Sequence, residues 1–223
     1  MYDRPELTEA HDAYWYLIRK NLLENDIECP EKLDFQAGEM DCWTSPDFFF
    51  SQTCGRPYIN FLVDQVSLVG TPDYNLKDCL AGYYRSAYVI NKSAKSTNLD
   101  DYKQSLFAYN DENSQSGFHV CNGYFENLIC SGSHINSAKM VANNQAEIAA
   151  IDAVSLKLIT KYDDFAKELK IIAWTKPTPS LPYIAYKDAD KSKFFTAIQS
   201  ALTNLQDDYR DNLNGLDYIS KET

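Results

Sequence analysis

Apolar positions along this chain recur with two different periods, and the switches between them mark its elements. Ala10, Tyr14, Leu17 and Ile18 share one face at helical spacing. Pro5 suits a first turn and Thr8 a cap, so the first helix runs to about Glu24. A second short helical stretch is expected over 38–44, ended by Ser45-Pro46. "DFFF" (47–50) reads as a short buried strand, "VSLVGT" (66–71) as another and "YRSAYVIN" (84–91) as a third.

The second half continues in the same way. The polar "NKSAKSTNLDDY" opens a short helix at Leu99, and "SLFAYN" (105–110) is a strand. "INSAKMVANNQ" (135–145) is helical, "EIAAID" (147–152) a strand, "AVSLKLITKYDDFAKEL" (153–169) an amphipathic helix and "KIIAW" (170–174) the next strand. Three prolines make "TKPTPSLP" (175–182) rigid, non-helical chain. "YIAY" (183–186) is a strand, and "KSKFFTAIQSALTNLQD" (191–207) closes with a helix. Strands alternating with helices imply α/β sheets with helical crossovers. There is no fixed-period repeat and no low-complexity segment.

Three apolar runs end in the same chemistry. "DFFF" leads into Ser51, Gln52, Thr53, Cys54 and Gly55; "SLFAYN" leads into Ser114, Gln115, Ser116 and Gly117; "NLIC" leads into Ser131 to His134. In open α/β sheets, ligands sit beyond the carboxyl ends of strands. A following helix offers free N–H groups and the positive end of its dipole. Hydroxyl and amide side chains add directional donors, and glycine lets the backbone approach closely. Such a place can hold a tetrahedral oxyanion without a large local positive charge. The same residues are ordinary helix caps, and a cap and an anion site use the same N–H groups.

Single residues admit two readings each. His134 opens a helix within the third cluster and either touches a ligand or plays a structural part. Asp152 ends a strand and either accepts from a ligand hydroxyl or supports a loop. Arg85, beside Tyr84, either counters an anion or makes a salt bridge. His11 and His119 read as structural. Cys54, His134 and Asp152 supply the residue types of a hydrolase, yet no signature of such an enzyme surrounds them.

Composition narrows these choices. With 223 residues the chain can bury one substantial core or two smaller lobes. Its 16 tyrosines and 11 phenylalanines suit cleft walls as well as cores. The net charge of −11 excludes a broad nucleic-acid or anionic-membrane surface, which needs stripes of Lys and Arg. Three histidines without HxH or HExxH spacing argue against a transition metal, and six cysteines without a CxxC pair argue against a zinc ribbon. No cofactor is called for. No apolar run reaches membrane length. "MYDRPELTEAHD" lacks the basic and apolar regions of a signal peptide, so the expectation is a cytoplasmic chain or one whose leader was removed.

Taken in order, "MYDRPEL", "SQTCGRPY", "LVGTPDY", "YYRSAYVI", "NSQSGFHV", "SGSHINSAKMVANNQAEIAAIDAV" and "TKPTPSLPYI" resemble phosphate/phosphonate-type ABC-transporter substrate-binding proteins over nearly the whole chain. The resemblance implies an α/β, two-lobed type II periplasmic-binding-protein fold with a two-strand hinge and a ligand clamped between the lobes. Lobe one would hold residues 1–87 and 180–223, and lobe two 88–179, with the hinge at "YRSAYVIN" and around "SLPYIAY". The implied function is a non-enzymatic solute-binding protein for phosphate, phosphite or a phosphonate, periplasmic and serving an ABC permease. By the resemblance Ser114, Gln115, Ser116 and His134 present the oxyanion donors of lobe two, and Ser51, Gln52 and Thr53 those of lobe one. Tyr2 and Tyr84 would line the cleft, and Asp152 would lie near its floor.

The chain departs from the family in places. The family's first strand precedes the segment matching "MYD", so either the start is truncated or lobe one's sheet is a strand short. The stretch 118–130 is shorter than the usual helix plus strand. Arg56 stands where an aromatic is expected, and Leu181 stands where binders of amine-bearing phosphonates place an acid. The alternative is a cytoplasmic sensor or scaffold with a modified cleft; a pyrimidine-precursor synthase on the same fold lacks its cysteine-rich motif.

Overall fold

Elements fall close to where the periodicity places them in the computed structural model, which describes residues 2–35 and 39–220. A 3-10 turn at Pro5–Leu7 runs into α1 (Thr8–Leu23). Thr8 does not cap it; the cap position is Leu7, with no side-chain bond. Next come α2 (Glu39–Trp43), β1 (Phe50–Gln52), α3 (Gly55–Pro57) continuing as a π-helix to Leu62, and β2 (Ser67–Asp73). Gly38, placed in the second helical stretch by its sequence, lies outside the described residues. The strand expected at 47–50 begins only at Phe50.

After β3 (Tyr83–Tyr84) follow β4 (Ser86–Asn91), a 3-10 turn at Leu99–Tyr102, β5 (Leu106–Tyr109), β6 (Asn127–Cys130), α4 (His134–Ala142), β7 (Ile148–Asp152), α5 (Ala153–Tyr162) and β8 (Leu169–Trp174). The amphipathic helix expected over 153–169 is cut at Asp163, whose backbone is extended, and resumes as a 3-10 helix at Asp164–Glu168. The chain ends with β9 (Thr178–Pro179), β10 (Tyr183–Ala185), α6 (Lys191–Asn204), α7 (Asp207–Asn212) and β11 (Tyr218–Ser220). Two compact units result: Met1–Tyr83 with Pro179–Thr223, and Tyr84–Thr178.

Unit 1 carries a four-stranded sheet in the order β1-β10-β2-β11, each neighbouring pair antiparallel. α1 buries Ala10, Tyr14, Trp15, Ile18 and Leu22 and packs on α6, which buries Phe194, Ala197, Ile198, Ala201 and Leu202. Both stripes have the spacing of a helix face turned to a core.

Unit 2 carries a five-stranded sheet in the order β6-β5-β7-β4-β8. β5, β6 and β7 run parallel, whereas β4 is antiparallel to both β7 and β8. β4 and β7 are buried at every position, as strands covered on both faces should be. Strand alternation sorts their side chains by size. Ala87, Val89, Ala108, Ala149 and Ile151 face a core shared with α4 and α5. Tyr88, Ile90, Phe107 and Tyr109 face the opposite core, closed by Tyr102, Cys121 and Phe125. Small residues on the first face let the helices sit close; aromatic ones fill the second, where only turns cover the sheet.

Because β5, β6 and β7 are parallel, their carboxyl ends emerge together. β4 begins at that same end, since Ser86 pairs with Asp152.

Candidate functional site

Four predicted residues meet at the carboxyl end of the unit 2 sheet. Ser114 and Ser116 follow β5, His134 follows β6, and Asp152 ends β7. Ser116 Oγ lies 2.9 Å from His134 Nε2, and that nitrogen lies 3.4 Å from Asp152 Oδ2. Ser114 Oγ is 3.4 Å from Ser116 Oγ and accepts from the Gly117 N–H at 3.1 Å. Asp152 Oδ1 accepts from the N–H groups of Val154 and Ser155, capping α5. Ser114, Ser116 and Asp152 are all buried.

Proton accounting shows what this chain of contacts can do. His134 Nε2 stands between a hydroxyl that can donate or accept and a carboxylate that only accepts. Ser114 accepts from the Gly117 N–H and has a hydroxyl proton to donate, while the Ser116 hydroxyl can donate or accept. Burial holds the His134 pKa below its ordinary value against the pull of Asp152, so the ring is neutral at neutral pH. The result is a donor set without a cation.

Main-chain donors join it. Ser133 caps α4 by accepting from Asn136 N–H, which leaves the N–H groups of His134 and Ile135 without acceptors among the described residues. Ser114 plays the same part for the turn that follows it, and the N–H groups of Gln115 and Ser116 are likewise without acceptors among the described residues. Gln115 is half-buried. The α5 terminus differs: Asp152 and the Arg85 carbonyl take its first N–H groups.

Asn110 and Gly117 belong to the site although sequence reasoning gave Asn110 no part. A Cβ at 117 would overlap the Asn110 amide oxygen and stand 3.1 Å from His134 Cε1. Any larger side chain there must displace the Asn110 amide and press on the His134 ring. Arg85 stacks its guanidinium 4.4 Å above the Trp174 ring. Tyr84 is buried. Ser131 bonds inward, to the Tyr109 carbonyl and to Ser137.

The unit 1 residues are arranged differently. Gln52 Nε2 donates to the Leu181 carbonyl at 2.9 Å and to Tyr74 Oη at 3.0 Å. Ser51 Oγ donates to the Gln52 carbonyl, and Thr53, fully buried, donates through Oγ1 to the Cys54 carbonyl and through its N–H to Pro182. Each of these donors has an internal acceptor. Tyr2, with φ of 57°, sets its ring edge-on to Tyr74 at 5.5 Å.

The Ser116–His134–Asp152 contacts do not form a hydrolytic relay. Serine and acid meet the same ring nitrogen, whereas a relay needs the acid on the other one. Among the described residues no cluster of metal-ligating side chains occurs, and no helix is long and apolar enough to cross a membrane.

Comparison with solved structures gives this α/β fold its name. XAC2383 from Xanthomonas citri, bound to ATP, superposes with a TM-score of 0.69 at 12% identity, over 97% of this chain and 89% of that one. PhnD1 from Prochlorococcus marinus, in complex with methylphosphonate, gives 0.67 at 17%, over 96% and 88%. A binding protein component of an ABC phosphonate transporter from Pseudomonas aeruginosa gives 0.57 at 19%, over 87% and 74%. At these identities the likeness is one of fold: the chain has the periplasmic-binding-protein fold. Residues 60–220 match the family described as ABC transporter, phosphonate, periplasmic substrate-binding protein, and the chain belongs to that family. No curated protein matches it.

Proposed function

We propose that this chain binds a small phosphorus oxyanion (phosphate, phosphite or a phosphonate) at the carboxyl end of the unit 2 sheet and delivers it, in the periplasm, to the permease of an ABC transporter. The observation that carries the reading is the convergence there of two buried serine hydroxyls with four main-chain N–H groups that have no acceptor among the described residues, backed by a neutral His134. Tetrahedral oxyanions are recognised by such donor sets at helix starts. Membership of a phosphonate-binding family supports the choice of phosphorus, and PhnD1, of like fold, was solved with methylphosphonate. Asp152 is engaged by α5 and His134, so it does not offer a carboxylate to an amine-bearing ligand.

The test is affinity for methylphosphonate and phosphite in Ser114→Ala and Ser116→Ala. Each variant should bind weaker by about 1–2 kcal/mol, the loss of one hydrogen bond to a charged group. Unchanged affinity in both variants would remove the serines from the site.

A further inference from the structure

Ser86 carries a buried hydroxyl that oxyanion binding by Ser114 and Ser116 does not use. The residue is 1% exposed, and its Oγ has no partner among the described residues. Its main chain is fully occupied. The Ser86 N–H donates to Thr175 Oγ1 and its carbonyl accepts from the Thr175 N–H, each at 2.9 Å. Only the hydroxyl is left to act. A buried hydroxyl without a partner opposes folding, because burial strips its water and returns no bond. Serine rather than alanine at such a place calls for an occupant that pairs with it.

The sheet fixes where that hydroxyl lies. Ser86 opens β4 and pairs with Asp152 at the end of β7. The Ala153 N–H donates to the Arg85 carbonyl, so the hydrogen-bonded pair is the neighbouring one. Ser86 and Asp152 form the alternate kind of antiparallel pair, whose side chains stand closer. Strand alternation puts Ser86 on one face with Tyr88 and Ile90, and Asp152 on that same face with Ile148 and Ala150. Phe118 and Cys121, from the stretch that carries Ser114, Ser116 and Gly117, pack on this face as well. Asp152 is adjacent yet takes no bond from Ser86; its Oδ1 accepts from α5 and its Oδ2 approaches His134 Nε2, which in turn approaches Ser116 Oγ. Ser86 thus stands at the same end and on the same face of the sheet as the proposed donor set, next to Asp152.

We propose that Ser86 is a third hydroxyl of the oxyanion site and donates through Oγ to an oxygen of the bound phosphorus oxyanion; the inference rests on the anion-binding reading of unit 2. Ser114 and Ser116 come from the turn after β5, and Ser86 from the start of β4. Oxygens of the ligand, and not its fourth substituent, meet Ser86. A methyl group or a hydrogen on phosphorus accepts no bond and would leave the hydroxyl unpaired.

The experiment compares the unmodified full chain with Ser86→Ala in two measurements: calorimetric affinity for phosphite and for methylphosphonate, and Tm without ligand. Affinity for both ligands should fall about tenfold or more, the effect of losing a hydrogen bond to a charged group. The Tm of the ligand-free variant should equal or exceed that of the unmodified chain, since the hydroxyl it lacks had no internal partner. Unchanged affinity would remove Ser86 from the site and leave the anion-binding reading standing. A lowered Tm in the ligand-free variant would overturn the inference too, because the hydroxyl would then have a structural partner. A loss confined to methylphosphonate would set the methyl group against Ser86 and overturn the oxygen contact. An unmodified chain that binds neither ligand would overturn the anion-binding reading itself, and this inference with it.

Discussion

Gly117 is the residue on which the proposed anion site turns. The space a side chain would need is filled by Asn110 and by the His134 ring, so even a methyl group must move both. Gly117→Ala should lower oxyanion affinity by tenfold or more, because it displaces the ring that backs Ser116; calorimetry of the purified variant checks this, and wild-type affinity would contradict it. His134 also makes stability depend on pH. Its pKa lies below 6.5 in the folded chain, through burial, and that of His11 is lowered for the same reason. The unfolded chain thus takes up protons first as pH falls through about 6.5, and stability declines from there downward. Tm should fall between pH 7.5 and 5, and fall less in His134→Gln; equal slopes would remove His134 as a cause. At this scale the sequence showed which residue types gather after each strand. It did not show which of their donors are taken up internally, because that depends on partners such as Tyr74 and the Leu181 carbonyl that carry no local signal.

Elements were the most legible part of the chain. The runs "YRSAYVIN", "EIAAID" and "SLFAYN" become strands within a residue or two of their expected limits. They are continuous apolar runs because both sheet faces are covered, a signal that needs no tertiary knowledge. What escaped was short: β11 and the two-residue strands form by pairing with distant chain, which periodicity does not record. The break at Asp163 escaped as well, since "KYDDFAKEL" keeps helical spacing across it. Asp152 shows how an element end and a site share one residue. Its carboxylate takes two N–H groups of α5, so Asp152→Ala should cost about 1–2 kcal/mol in denaturant unfolding, and Asp152→Asn clearly less. Equal losses in the two variants would mean that the cap contributes little and the charge beside His134 decides.

For the whole molecule, a strongly acidic chain proposed to bind an anion presents a physical puzzle, and the proposed site answers it locally. Net charge of −11 opposes the approach of an anion, while hydroxyl and main-chain donors in a buried place attract it at short range. Screening by salt reaches the first effect far more than the second. The order of motifs identified the family from the sequence; the division of donors between free and internally bonded became visible only in the fold. The most direct measurement is a calorimetric titration of the unmodified protein with phosphate, phosphite, methylphosphonate, 2-aminoethylphosphonate and sulfate in turn. Micromolar or tighter binding of at least one of the first three, with the amine-bearing phosphonate binding no better than methylphosphonate, is the expected result. No binding to any phosphorus oxyanion, or a preference for sulfate, would contradict the account.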